Sequence, residues 1–233
     1  MKESDVEEEI STITSASEGL NICNWPVRDT DRMMSFYNAA KKLDKTLTIS
    51  HKQAYLLDLL SSCDDVKIPD IDDDTIETYS FRKSWGLIGS NWDKKLIDQD
   101  YESWERRYLN NSLCYKDIDN QNDFLFFCGN FDLKELIDIK PIKDSVYIKS
   151  VCEPFDIEME VDWERINNWI QHFGMTVERT HVSGHASGPQ LRHFVEQVDP
   201  EMVIPIHTEH ATLYSSWHEN THLFKDSIET VTI

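Results

Sequence analysis

The stretch LNICNWPVRDTDRMMSFYNAAKKLDKTLTISHKQAYLLDLLSS, residues 20–62, decides the fold class. Its first six residues are a short apolar run closed by Pro26, which suits a buried strand. Residues 28–45 then place Met33, Met34, Phe36, Tyr37 and Ala40 at helical spacing, with Asp29, Thr30 or Asp31 available to cap the start. A second strand, TLTIS (46–50), leads into a helix through KQAYLLDLLSS (52–62). Strand, helix, strand, helix with short links predicts an α/β fold: a parallel sheet with helices on both faces.

The pattern extends outward from there. Residues 4–17 read as an acidic amphipathic helix with Val6, Ile10 and Ile13 on one face. Further strands are expected where IPDIDDDTIETYSF (68–81) turns apolar, at NDFLFFCG (122–129), DSVYIKSVC (144–152), TVERTHV (176–182) and EMVIPIH (201–207), with TVTI (230–233) closing the chain. Helices are expected at 91–109, 131–139, 161–174 and 187–200, the third stopped by Gly174 and the last opened by Pro189 in its first turn.

Composition bounds the function. The 233 residues are 39% hydrophobic with seven Trp, enough for a sizeable core despite a net charge of −20. The charged opening MKESDVEEEI predicts neither signal peptide nor anchor, and no apolar run reaches the roughly 20 residues that cross a bilayer. Five unpaired-looking cysteines (Cys23, Cys63, Cys114, Cys128, Cys152) predict a reduced, cytoplasmic protein. Basic residues are scattered and residues 70–74 form an acidic loop, so no basic stripe is there to clamp nucleic acid by its own field. A polyanionic substrate would need a local pocket, bound metal or a partner.

Eight of the nine histidines lie between His172 and His222, five of them within HVSGHASGPQLRHFVEQVDPEMVIPIHTEH (181–210). His185 sits in the small-residue turn SGHASG, before a helix, where backbone N–H groups can face an anion. His207 ends the strand VIPIH and Glu209 follows it. Two such histidines at the ends of neighbouring strands can converge, one on a metal and the other on a phosphate or leaving oxygen. His172, His193 and His218 read as surface residues and His181 as packing, while His210 and His222 stay open.

The same stretch closely resembles the end of the metallo-β-lactamase/β-CASP nucleases, the group of ribonuclease J and the pre-mRNA 3′-end cleavage endonuclease. A [SG]-[AG]-H turn, a helix and a strand ending V-H-[GT]-E recur there in this order. NWPVRDTDRMMSFYNAAKKLDKTLTISHKQAYLLDLL resembles the start of the β-CASP insert, and SVYIKSVCEPFDIEMEVDWERINNWIQHFG its exit. The resemblance implies a β-CASP-like domain at 1–178 and the C-terminal strand-helix-strand portion of a metallo-β-lactamase-like αββα domain at 179–233. It implies that His185 contacts the scissile phosphate and assists proton transfer, and that His207 is a zinc ligand. Ser183 and Gly184 would form a phosphate-binding turn, with Ser150 and Glu153 in the substrate cleft. Two zinc ions would act in the complete family site on RNA or another single-stranded nucleic acid.

The family's H-x-H-x-D-H ligands are absent from these residues, and His207 alone is too few for a zinc site. The expectation is therefore the C-terminal part of a zinc-dependent phosphodiesterase, inactive until another polypeptide supplies the lactamase half. The alternative is a non-catalytic remnant working as a protein-interaction module that pairs with a full-length relative; the expected partners overall are RNA, a polypeptide supplying the lactamase half or a second copy of this chain. A third reading is a self-sufficient hydrolase built on His181, His185, His207, Glu209 and His210.

Overall fold

The computed structural model describes residues 3–63, 65–83, 100–182, 186–206 and 208–224. The chain divides into two compact units, Met1–Val182 and Ser183–Ile233.

In the first unit six strands form one all-parallel sheet: β1 (Asn21–Asn24), β2 (Thr46–Ser50), β3 (Ile76–Tyr79), β4 (Phe124–Phe127), β5 (Val146–Lys149) and β6 (Thr176–Arg179). Their order across the sheet is β3-β2-β4-β1-β5-β6. Because side chains alternate along a strand, β1, β3, β4 and β5 feed two cores. Cys23, Leu47, Ile49, Leu125, Phe127 and Ile148 face one core, which α1 (Glu3–Ala16), α2 (Thr30–Lys42) and α3 (His51–Leu60) cover with Val6, Ile10, Met33, Phe36, Ala54 and Leu57. Ile22, Phe126 and Tyr147 face the other, with Leu136 and Ile139 of α4 (Leu136–Ile139) and Ile166 and Ile170 of α5 (Ile157–His172). Burial on both faces is why these strands read as near-continuous apolar runs. Trp25 anchors the first core, stacked on Phe36 and edge-on to Phe127, each with 4.6 Å between ring centroids.

Local signals fix the element ends. Asp29 caps α2 by accepting from the Arg32 N–H at 3.0 Å, and Asp156 caps α5 through the Met159 N–H at 2.8 Å. Gly174 adopts φ +64° just past α5, as expected of its stop. Ser50 and Gln53 form a capping box at α3: the Gln53 N–H donates to Ser50 Oγ, and the Ser50 N–H to Gln53 Oε1. Replacing Ser50 with alanine is expected to lower stability by about 1 kcal/mol, read as a shift in the urea midpoint. No measurable shift would mean that the box contributes nothing.

Two expectations change. Of the helix expected at 91–109, residues 91–99 lie outside those described, and 102–109 form a turn and the start of a 3-10 helix, Arg106–Asn111. The buried Glu105 carboxylate accepts from the Glu102 N–H at 3.1 Å and from Lys83 Nζ at 2.8 Å, tying this segment to the Lys83 strand exit. The strand expected at 201–207 reduces, over its described residues, to a single bridge between Val203 and Thr221. Pro205 lacks an N–H with which to extend a ladder. The closing TVTI lies outside the described residues.

The second unit holds α6 (Gly188–Val198), opened by Pro189 and by Ser187, whose N–H donates to Gln190 Oε1 at 2.8 Å. Val195 is buried, but Phe194 (63% exposed), Val198 and Ile206 (73%) turn apolar surface outward. Among the described residues no helix is long and apolar enough to cross a membrane.

Candidate functional site

Of the site residues read from the sequence, Ser183, Gly184, His185 and His207 lie outside the described residues. The chain up to Val182 is described, and it is held by one side chain. Arg32 projects from the first turn of α2 and is 2% exposed. Its Nε and Nη2 donate to the two oxygens of Glu3 at 2.6 and 3.1 Å, a bidentate ion pair that ties α1 to α2. Its Nη1 donates to Ser150 Oγ at 2.6 Å and to the Ser150 carbonyl at 3.1 Å, just past β5. The same group reaches His181 Nδ1 at 3.0 Å, and Nη2 reaches the Val182 carbonyl at 3.3 Å, just past β6. Arginine only donates, so His181 Nδ1 is the acceptor and this ring is neutral. Burial, with the Arg32 charge beside it, lowers the His181 pKa.

Ser150 is fully buried; besides accepting from Arg32, its hydroxyl donates to the Thr180 carbonyl at 2.5 Å. It bridges the exits of β5 and β6. Glu153 lies on the surface and accepts from Lys149 Nζ at 2.8 Å and from Arg179 Nη1 at 3.2 Å. The Lys149 hydrogen bond is the main cause of its lowered pKa. The same two cations sit 4.4 and 5.5 Å from the Trp163 ring centroid, so Glu153 closes a cation–aromatic clamp between β5, β6 and α5.

The remaining histidines spread out. His172, His193 and His210 are exposed. His51, the first residue of α3, is buried, with its Nε2 2.9 Å from Ser112 Oγ and 3.2 Å from Ser80 Oγ. Among the described residues no three His, Cys, Asp or Glu side chains group closely enough to hold a metal ion. Zinc needs about three or four protein ligands, so the described residues do not fit it.

Arg32 was missed as a positioning residue by sequence reasoning, although a signal existed. It precedes Phe36 by four positions and so falls on the core-facing side of α2, where an arginine must be paired.

Residues 172–215 match the family described as the Zn-dependent metallo-hydrolase RNA specificity domain. No curated protein matches the chain. The matched segment runs from the end of α5 through β6, residues Ser183, Gly184 and His185, α6 and His207.

Proposed function

We propose that the chain provides the RNA-recognising C-terminal part of a zinc-dependent phosphodiesterase of the metallo-β-lactamase/β-CASP type. Residues 1–178 are read as the β-CASP-like domain and 179–233 as the end of the lactamase-like domain. The observation that carries this reading is the match at 172–215, which contains Ser183, Gly184, His185 and His207 together. An all-parallel sheet with helices on both faces agrees with it.

In this reading Ser183 and Gly184 offer backbone donors to a phosphate, and His185 contacts it and moves a proton toward the leaving oxygen. His207 contributes one zinc ligand. The rest come from outside these residues, which contain no H-x-H-x-D-H. A cytoplasmic setting goes with it, and the described cysteines are all free.

The alternative, a non-catalytic interaction module, draws support from the net charge of −20 and the exposed apolar side of α6. Incubating the purified chain with zinc and a single-stranded RNA separates the readings. No cleavage and less than two equivalents of bound zinc are expected from the chain alone. Two equivalents with cleavage would overturn its dependence on a partner. A pull-down partner carrying H-x-H-x-D-H that restores cleavage supports the nuclease reading; a partner that neither carries those ligands nor restores cleavage favours the interaction module.

A further inference from the structure

Helix α5 is apolar on two sides. Its inner side, with Ile166 and Ile170, is buried in the second core. On its outer side Ile157 (77% exposed) and Val161 (60%) stand one turn apart. Half-buried Trp169, two turns further on, and Ile137, the exposed residue of α4, face the same space. Together with Val161 they line an open groove of 710 Å³ between α4 and α5. Exposed apolar side chains standing singly are ordinary, but four set along one groove mark a contact surface.

The flanking charges select what can cover it. Arg165 lies in the groove, but its guanidinium is engaged. It donates to Asp162 and to the Asn130 carbonyl, both at 3.2 Å, and sits 5.1 Å from the Phe131 ring centroid. Glu160 and Glu164, a turn apart beside Val161, are exposed and form no ion pair among the described residues. The uncompensated charge at the groove is therefore negative, in a chain of net −20. It repels anionic lipid and nucleic acid. A second copy would bring the same two carboxylates and its own excess charge, which works against self-association. A protein segment that is apolar on one side and basic beside it meets both features.

The groove's length sets the form of that segment. From Val161 to Trp169 is eight residues of helix, about 12 Å at the helical rise. Two turns of a guest helix cover that distance, so apolar residues at i, i+4 and i+7 reach both ends. A Lys or Arg flanking the first of them comes within reach of Glu160 and Glu164.

We propose that the groove between α4 and α5 docks a basic amphipathic helix of a protein partner. Its apolar side chains rest on Ile137, Val161 and Trp169, and its lysines or arginines face Glu160 and Glu164. The surface lies within the first unit and depends on neither His185 nor His207.

The test uses two fluorescently labelled model peptides of about 18 residues, five helical turns. One is built of leucine and lysine in amphipathic order, the other has glutamate in place of lysine. Each is titrated with the purified chain and followed by anisotropy. The leucine–lysine peptide should bind saturably, one per chain, and at least about tenfold more tightly than its acidic counterpart. Val161→Asp and the double variant Glu160→Lys/Glu164→Lys should each weaken it about tenfold or more. Glu8→Lys/Asp65→Lys makes the same change of net charge on α1 and past α3, which cover the other core, and should leave binding within about twofold. All these side chains are exposed, so the variants should keep the wild-type urea midpoint. Lack of saturable binding overturns the proposal, as does binding untouched by the groove variants. Equal weakening by the two double charge reversals also overturns it, as a long-range attraction of the whole chain. Equal affinity for the acidic peptide overturns the charge assignment. A concentration-dependent dimer in sedimentation that Val161→Asp dissolves overturns the partner assignment in favour of a second copy.

Discussion

Replacing Arg32 with methionine is expected to destabilise the first unit by about 3 kcal/mol, because it removes one partner of a buried ion pair and leaves several acceptors without a donor. The guanidinium is the shared donor to Glu3, Ser150, His181 and Val182, so its loss is felt in α1, β5 and β6 together. The Glu3 side chain is 37% exposed and can regain water, which keeps the expected loss at the lower end of the range for a broken buried pair. Glu3→Gln should lose much less, since an amide still accepts from Arg32 and Ser35. The ranking is checked by urea unfolding of the three proteins, and equal losses for Arg32→Met and Glu3→Gln would show that the ion pair, not the wider donor set, is what matters. The functional stake is the backbone just before Ser183, Gly184 and His185, because Arg32 holds the carbonyl of Val182.

The fold was more legible than the site for a physical reason. Strands such as FLFF (124–127) and VYIK (146–149) are buried on both faces of a parallel sheet, so apolar runs alone betray them. The cap at Asp29 acts within one turn and is equally readable, whereas Asp156 starts α5 at Ile157, four residues before the expected 161. The crossing of connections that sets β4 between β1 and β2 is a long-range property, and no local pattern carries it. Nor does any local pattern carry the second core under α4 and α5, or the groove between those helices. Charged residues mislead in the same way. Arg32, Glu105 and Glu135 would be placed on the surface by residue type, yet all three are buried because each meets partners distant in sequence. At 201–207 the error ran the other way: an apolar run promises a strand, but a strand also needs a neighbour, and among the described residues Val203 forms no more than an isolated bridge opposite Thr221.

His51 shows how such burial becomes a pH response. Burial drives its pKa down from 6.5 to about 4; the charge of Glu105 opposes this and that of Lys83 adds to it. Below pH 6.5 the unfolded chain protonates this ring, whereas the folded protein resists until about pH 4, so unfolding gains ground as pH falls through that window. The contribution is fully present above pH 6.5 and amounts to about 3 kcal/mol lost by pH 4. The lowered pKa of His181 adds to the same trend, while the raised pKa values of Asp132 and Glu77 oppose it at the acidic end. The His51 share is therefore read as a difference between proteins. His51→Gln keeps a group able to reach Ser112 and Ser80 but cannot titrate, so its stability should fall less steeply between pH 6.5 and 4, measured by urea midpoints at half-unit steps. Parallel curves for the two proteins would mean that His51 titrates alike folded and unfolded, and that the polar network joining α3, β3 and the Arg106–Asn111 turn admits a proton freely.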